Sequence, residues 1–153
     1  MARTSTLVLL LFAACATPPT APTMHAFRLL PGADLREGIQ RYADEHDLQA
    51  ACVASAVGSV KCCALRFADR SETTVIDGKH EILALVGTVS KHGSHLHLTV
   101  GDGDGAVRGG HLQAGSVVYT TAEVVLLESP EHVFTRAVDG STPWAELQVG
   151  WRR

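Results

Sequence analysis

One stretch constrains the fold of this chain more than any other: residues 95–112, which read HLHLTVGDGDGAVRGGHL. Its first six residues alternate between polar and apolar side chains, which is the period of a β-strand with one buried face. The two Asp-Gly steps that follow are a strong turn signal. We therefore expect a β-hairpin in which residues 106–112 return as the antiparallel partner of residues 95–100.

Three of the chain's eight histidines lie in this hairpin. A turn centred on Gly103 places His95 opposite His111, and His95, His97 and His111 then project from one face of the sheet. Opposite Cβ atoms in a sheet are about 5 Å apart and diagonal ones at most about 7–8 Å, so three imidazoles on this spacing can converge on one divalent ion. The alternative is a polar sheet face whose histidines bond water or one another, and a register shift of one residue would turn His111 to the other face.

The chemistry of such a site would follow from its ligands. Neutral imidazoles suit zinc, and three protein ligands leave a fourth coordination position open. That open position permits a metal-dependent hydrolase or lyase, in which the ion lowers the pKa of its bound water to about 7. Thr99 on the histidine face and Glu123 are candidates to assist, although a solvent-facing position at a strand end is the simpler interpretation of Glu123. The sequence names no substrate and assigns no catalytic residue.

Residues 1–23 have a different character from the rest of the chain. Arg3, the apolar run LVLLLF and the small residues AACA match the three regions of an export signal. The apolar run is too short to cross a bilayer. FAAC also resembles a bacterial lipoprotein box, with Cys15 as the acylated residue and TPPTAPT as a short Pro/Thr tether, although Phe12 stands where Leu is usual.

Two locations follow from these alternatives. If the leader is real, the protein is expected to be exported or held at the membrane by a lipid on Cys15. If instead Met24 is the true start, residues 1–23 are an untranslated extension and the protein is expected to be cytoplasmic. Residues 24–150 are assigned to one domain in either case, and residues 151–153 to a short tail.

Charge argues against a nucleic-acid-binding protein, and cysteine content against a disulfide-stabilised one. The formal net charge is −3, and no clustered basic patch is present in the sequence, so DNA is not an expected partner. Apart from Cys15 the cysteines are Cys52, Cys62 and Cys63, an odd number that cannot form a closed disulfide framework. We expect all three to be small core residues.

The remaining pattern predicts one helix among about eight β-prone segments. Asp34 is a candidate helix N-cap, with Glu37 three residues later. Gly58-Ser59 is expected to be a hairpin turn between two apolar runs, and Gly78 a second turn. Residues 80–90 are apolar at both alternating positions, so they are expected to form a central strand that is covered on both faces. The chain is therefore predicted to be an α+β domain with a mostly antiparallel sheet.

The succession of segments resembles the plants-and-prokaryotes-conserved (PPC) domain. The likeness covers about residues 24–149 and rests on MHAFRLLPGADL, AVGSV, LRFADR, GKHEILALVGTVS, HLHLTVGDGDGAVRGGHL and VYTTAEVVLLE in this order. It implies an antiparallel sheet flanked by one or two helices and assembled as a homotrimer, in which residues 81–89 or 123–127 would be covered partly by a neighbouring subunit. It also implies a metal site at the HxH and GGH histidines, which are His95, His97 and His111 here.

The resemblance is to the stand-alone prokaryotic form, whose biochemical task is undefined. Plant members join the domain to AT-hooks, which enter the DNA minor groove, and this sequence contains no such stretch. We therefore expect a homotrimeric binding module with a three-histidine site, able to accept a small-molecule ligand. A metal-dependent hydrolase or lyase is the first alternative, and a DNA-associated or regulatory scaffold, by family analogy only, is the second.

Overall fold

The computed structural model describes residues 20–152 of the chain. One helix and eight strands follow one another as β1 (Thr23–Leu29), α1 (Leu35–Glu45), β2 (Ala51–Arg66), β3 (Thr74–Ser90), β4 (Gly93–Gly101), β5 (Val107–Leu112), β6 (Val117–Glu128), β7 (His132–Ala137) and β8 (Glu146–Trp151). The predicted α+β class with a mostly antiparallel sheet is confirmed. The leader was assigned to residues 1–23, of which residues 1–19, including Cys15, lie outside the described range, while Thr23 already belongs to β1.

Six strands form the main sheet, in the order β1-β6-β2-β3-β4-β5, and every neighbouring pair is antiparallel. The edge strand β5 also pairs with the end of β2, through Leu65↔Leu112 and Arg66↔His111. Strands β2, β3, β4 and β5 therefore form a closed ring, and we call the β2–β5 pairing its seam. β7 and β8 form a separate two-stranded sheet.

The core lies on the face of β4 opposite to its histidines. Leu96, Leu98 and Val100 alternate with the histidines and are at most 1% exposed. Helix α1 covers part of the same core with Leu35 and Ile39, both fully buried. This burial holds β4 in one orientation, so its histidine side chains project from the outer face of the ring.

The helix begins where the sequence predicts. Asp34 is its N-cap, and the Oδ1 atom accepts a hydrogen bond from the Glu37 amide at 2.9 Å. The other carboxylate oxygen accepts from the Gly115 amide at 2.6 Å, in the loop before β6. One side chain therefore both starts the helix and ties it to the main sheet. Among residues 20–152, no helix is long and apolar enough to cross a bilayer.

Both predicted turns are wrong, because the chain continues as long bulged strands at these points. β2 passes through Gly58 without reversing, and Gly58 has φ +137° at a register shift against β6. β3 likewise passes through Gly78, which has φ +111° beside a register shift against β2. A glycine in a strand can mark a bulge as well as a turn, and here it marks bulges.

The cysteine prediction holds for one residue of three. Cys63 is buried, Cys52 is exposed and Cys62 is intermediate. Cys52 alternates along β2 with the buried Ala51, so its side chain lies on the opposite face of the strand. All three are free thiols.

Strand β3 is central, as predicted, because it lies between β2 and β4. Its outer face is open in the single chain, however, with Leu83 53% and Val86 55% exposed. The expectation that residues 80–90 are covered on both faces is therefore not met within one subunit. Cover from a neighbouring subunit stays a prediction.

Candidate metal centre

The predicted hairpin is present as β4 and β5, with a register two residues away from the expected one. His97, not His95, lies opposite His111. This register centres the loop on Asp104. The Asp102 carboxylate stabilises the loop by accepting hydrogen bonds from the amides of Asp104 at 3.0 Å and Ala106 at 2.8 Å. A shift of two residues preserves the alternation, so the three histidines still share one face.

The three imidazoles converge. One nitrogen from each of His95, His97 and His111 lies within 4.8 Å of the others, and the ring centroids are 4.7 to 5.5 Å apart. A tetrahedral zinc ion with bonds of about 2.0–2.1 Å would need these nitrogens about 3.3–3.4 Å apart. Small rotations of the side chains would close the difference. The predicted site residues are thus brought together, and their donor set fits a divalent metal.

The ring nitrogens of the cluster differ from those of most other histidines in their hydrogen bonding. Ring nitrogens have a hydrogen-bond partner in His25, His46, His80 and His132. Within residues 20–152, no such partner is found for the rings of the cluster, and they do not bond one another. His95 and His111 are partly buried and His97 is exposed, and ring nitrogens left without a protein partner are what a metal site requires.

The surroundings keep two of the rings neutral. Burial, followed by the positive charges that His95 and Arg66 can carry, lowers the pKa of His111 from 6.5 to about 4. Burial and then the guanidinium of Arg136 also lower the pKa of His95, while the nearby Glu146 acts in the opposite direction. Because neutral imidazole is the form that binds metals, these shifts favour metal binding over protonation.

The strand register sets what lies beside the histidines. Across the seam, Arg66 on β2 is directly opposite His111, which is itself opposite His97 on β4. On the other side, Thr88 of β3 is directly opposite His95. Directly opposite residues share a face, so Arg66 and Thr88 flank the cluster from its two sides.

The β7–β8 hairpin supplies the outer wall of the site. It is anchored to the end of β3, where the Ser90 hydroxyl donates to the Phe134 carbonyl at 3.0 Å and Arg136 Nη2 donates to Thr88 Oγ1 at 3.2 Å. Two cavities, of about 240 and 350 Å³, open between this hairpin and the histidines. His95, Arg136 and Glu146 line both of them. The larger cavity is also lined by Arg66, His111 and Trp144.

The two residues considered from the sequence as assistants, Thr99 and Glu123, do not line the cavities beside the histidines. Glu123 is exposed, as the simpler interpretation expects, but it lies within β6 and not at a strand end, and β2 and β3 separate β6 from β4. Thr99 lies opposite Gly109 on the histidine face and lines neither cavity. The carboxylate that faces the site is Glu146, which the sequence pattern did not single out.

Comparison with known proteins is consistent with this architecture. A family model of the Plants and Prokaryotes Conserved (PCC) domain matches residues 16–130. The bifunctional protein GlmU of Synechococcus sp. strain JA-2-3B'a(2-13) is 45% identical over 132 residues, a match that covers 86% of this chain and 21% of GlmU. The chain thus spans about a fifth of the length of that curated relative.

Two solved structures are similar over most of the chain. A hypothetical protein of Salmonella cholerae-suis (Salmonella enterica) has a TM-score of 0.85 and 35% identity, with 90% of this chain and 99% of that chain covered. A metal-containing protein of Archaeoglobus fulgidus has a TM-score of 0.72 and 28% identity, with 87% and 98% covered. The resemblance seen in the sequence is confirmed by the family model, which matches well over half of the residues. The protein therefore belongs to the Plants and Prokaryotes Conserved domain family.

Proposed function

We propose that this protein is a homotrimeric binding module that holds a divalent metal ion, most suitably zinc, on His95, His97 and His111. The observation that carries the proposal is the convergence of three ring nitrogens within 4.8 Å of one another. The environment of His95 and His111 lowers the pKa of both rings and so favours the neutral form that metal binding requires. The metal content of the similar Archaeoglobus fulgidus protein agrees with the proposal.

Metal analysis of protein purified without a histidine tag tests this site. The wild type should carry about one zinc ion per chain, and the His95→Ala/His97→Ala variant should carry almost none. The matched control is His46→Ala/His92→Ala, which removes two exposed imidazoles away from the cluster. Equal metal content in all three proteins would remove the proposal.

The trimer is supported by the apolar surface that one chain leaves open. Leu83 and Val86 project from the outer face of β3, each more than half exposed. Apolar side chains clustered on a sheet face are typical of surfaces that a partner covers. A second copy of the same chain is the occupant that the family resemblance implies.

A second candidate function is that of a metal-dependent hydrolase or lyase acting on a small molecule. The observation that favours it is the position of Glu146, a carboxylate that lines both cavities beside His95. An ion held by the three histidines would supply Lewis acidity there, and Glu146 would be the residue placed to accept a proton. Hydrolysis or hydration of a panel of small substrates should then be lost on chelation, and also in Glu146→Gln with its metal content unchanged. Activity that survives both changes would exclude this candidate.

A further inference from the structure

The residues around the histidine cluster include two arginines that the proposed metal site does not use. Arg66 reaches the larger cavity from the seam, beside His111, and Arg136 reaches it from the β7–β8 hairpin. Both guanidiniums line the same cavity of about 350 Å³, together with His95 and His111. The two positive groups therefore approach the cluster from opposite sides.

Most of their hydrogen-bonding capacity is unused. A guanidinium has five N–H donors. Arg136 donates to the Ala145 carbonyl at 3.3 Å and to Thr88 Oγ1 at 3.2 Å, and Arg66 donates to the Arg70 carbonyl at 3.3 Å. In the part of the chain that the structure describes, neither guanidinium has a carboxylate within 4.0 Å. Several donors of each group thus remain available to a ligand.

The charge of the cavity is positive although the net charge of the chain is −3. Glu146 is the acid that lines it, against two arginines, and a bound divalent ion would add further positive charge. Guanidinium groups in such a setting bind carboxylate and phosphate oxygens, frequently through two parallel hydrogen bonds.

We propose that Arg66 and Arg136 form an anion subsite beside the metal centre, so that the ligand of this protein is a small oxyanion-bearing molecule, a carboxylate or a phosphate. Its anionic group would lie between the two guanidiniums, and a second polar atom would reach the ion. The cavity volume lies at the lower end of the range for small-molecule sites, which suits a compound of a few carbon atoms. This inference rests on the proposed metal-binding function for the second contact only.

Part of this subsite lies outside the match to the family model. Arg136, Trp144 and Glu146 all lie beyond residue 130, where the match to the family model ends. Trp144 forms one wall, with its ring centroid 5.9 Å from the guanidinium carbon of Arg66. Because its side chain is 65% exposed, an anion that binds next to it should change its fluorescence.

The experiment uses this tryptophan as the reporter. Trp151→Phe removes the second tryptophan of the chain, and inorganic phosphate and acetate are titrated separately at constant ionic strength set with sodium chloride. A saturable change in Trp144 fluorescence with at least one of them is expected. Loss of a charge-assisted contact in Arg66→Gln or Arg136→Gln should weaken that binding about tenfold or more. The matched control is Arg41→Gln, which removes an exposed arginine of α1 and should leave binding unchanged.

The outcomes separate the two proposals. The probe that saturates at the lower concentration assigns the ligand as a phosphate or a carboxylate. Anion binding by wild-type protein that takes up no zinc when zinc is supplied would support the subsite while contradicting the metal site. Metal-loaded protein that responds to neither anion, or that responds equally in wild type and both arginine variants, would overturn the subsite. Circular dichroism checks that the variants fold. Arg136→Lys keeps the positive charge but loses the paired N–H donors of the guanidinium, so it should bind with intermediate affinity.

Discussion

His111 combines a ligand position with an environment that resists protonation. Its pKa is about 4 in the folded chain against 6.5 in an ordinary setting. Between pH 4 and 6.5, the imidazole is therefore protonated in the unfolded chain and neutral in the folded one. The free energy of unfolding of the metal-free protein should therefore fall as the pH is lowered from about 6.5 to 4. Denaturant titrations across that range should show a smaller fall in His111→Gln. An identical pH dependence in both proteins would contradict the assignment.

Asp34 allows a second test at the scale of one side chain. It accepts hydrogen bonds from the amides of Glu37 and Gly115, which belong to different parts of the fold. Asp34→Ala should lower the free energy of unfolding by about 1–2 kcal/mol, because it leaves both amides without this acceptor. Asp34→Asn keeps one acceptor oxygen and should cost less, as measured by urea unfolding. Equal losses in the two variants would show that the one acceptor oxygen retained by asparagine does not stabilise the fold.

Single residues also show where sequence patterns stop being informative. The alternation of residues 95–100 was enough to place His95 and His97 on one face, because this depends only on the period of a strand. Nothing local indicates that Arg66 and Glu146 lie beside them. Their positions depend on pairing across the seam and on docking of the β7–β8 hairpin, which are contacts between residues far apart in the sequence.

At the scale of elements, the hairpin register illustrates the same limit. The turn signal predicted a reversal between β4 and β5, and the reversal is present. Its centre was predicted one residue too early, which shifts every strand partner by two, because the Asp102 carboxylate binds two loop amides and places the five-residue loop at 102–106. The long strands β2 and β3 were each predicted as two pieces, since glycines with positive φ at bulges have the same composition signal as turns.

Gly87 gives a prediction for the contact between β3 and β4. Its φ is +143°, and an added Cβ would lie 1.9 Å from the His95 carbonyl oxygen. Gly87→Ala should therefore separate the strands next to the first histidine, reduce bound zinc and lower the free energy of unfolding by about 2 kcal/mol or more. Gly103→Ala is the control, because an added Cβ there meets no atom within 4 Å. Normal metal content and stability in Gly87→Ala would show that the strands tolerate the displacement.

At the scale of the whole molecule, the sequence predicted the fold class and the family, while the closed ring of strands was not anticipated. The apolar pattern of β3 indicated cover on both faces, and one chain provides it on the core face alone. Periodicity reports that a surface is apolar but does not distinguish cover by the same chain from cover by another copy. The proposed trimer would account for the difference.

Sedimentation analysis tests that assembly. Three copies of the 16.2 kDa chain should sediment as a species of about 49 kDa. Leu83→Lys places a charge on the open face of β3 and should shift the protein toward the monomer. Val138→Lys, at an apolar position after β7 that is 65% exposed, is the control and should leave the trimer intact. A monomeric wild type would contradict the proposal.

The seam of the ring has a consequence for how the proposed ion would be retained. β5 is the strand that closes the ring, and it carries His111 directly opposite both Arg66 and His97. An ion shared by His97 and His111 would cross-link this closing strand to β4, so its release would be linked to local opening of the ring. Amide protons of β5 should then exchange with solvent more slowly in the zinc-loaded protein than in the metal-free one, while those of the distant strand β1 should be unaffected.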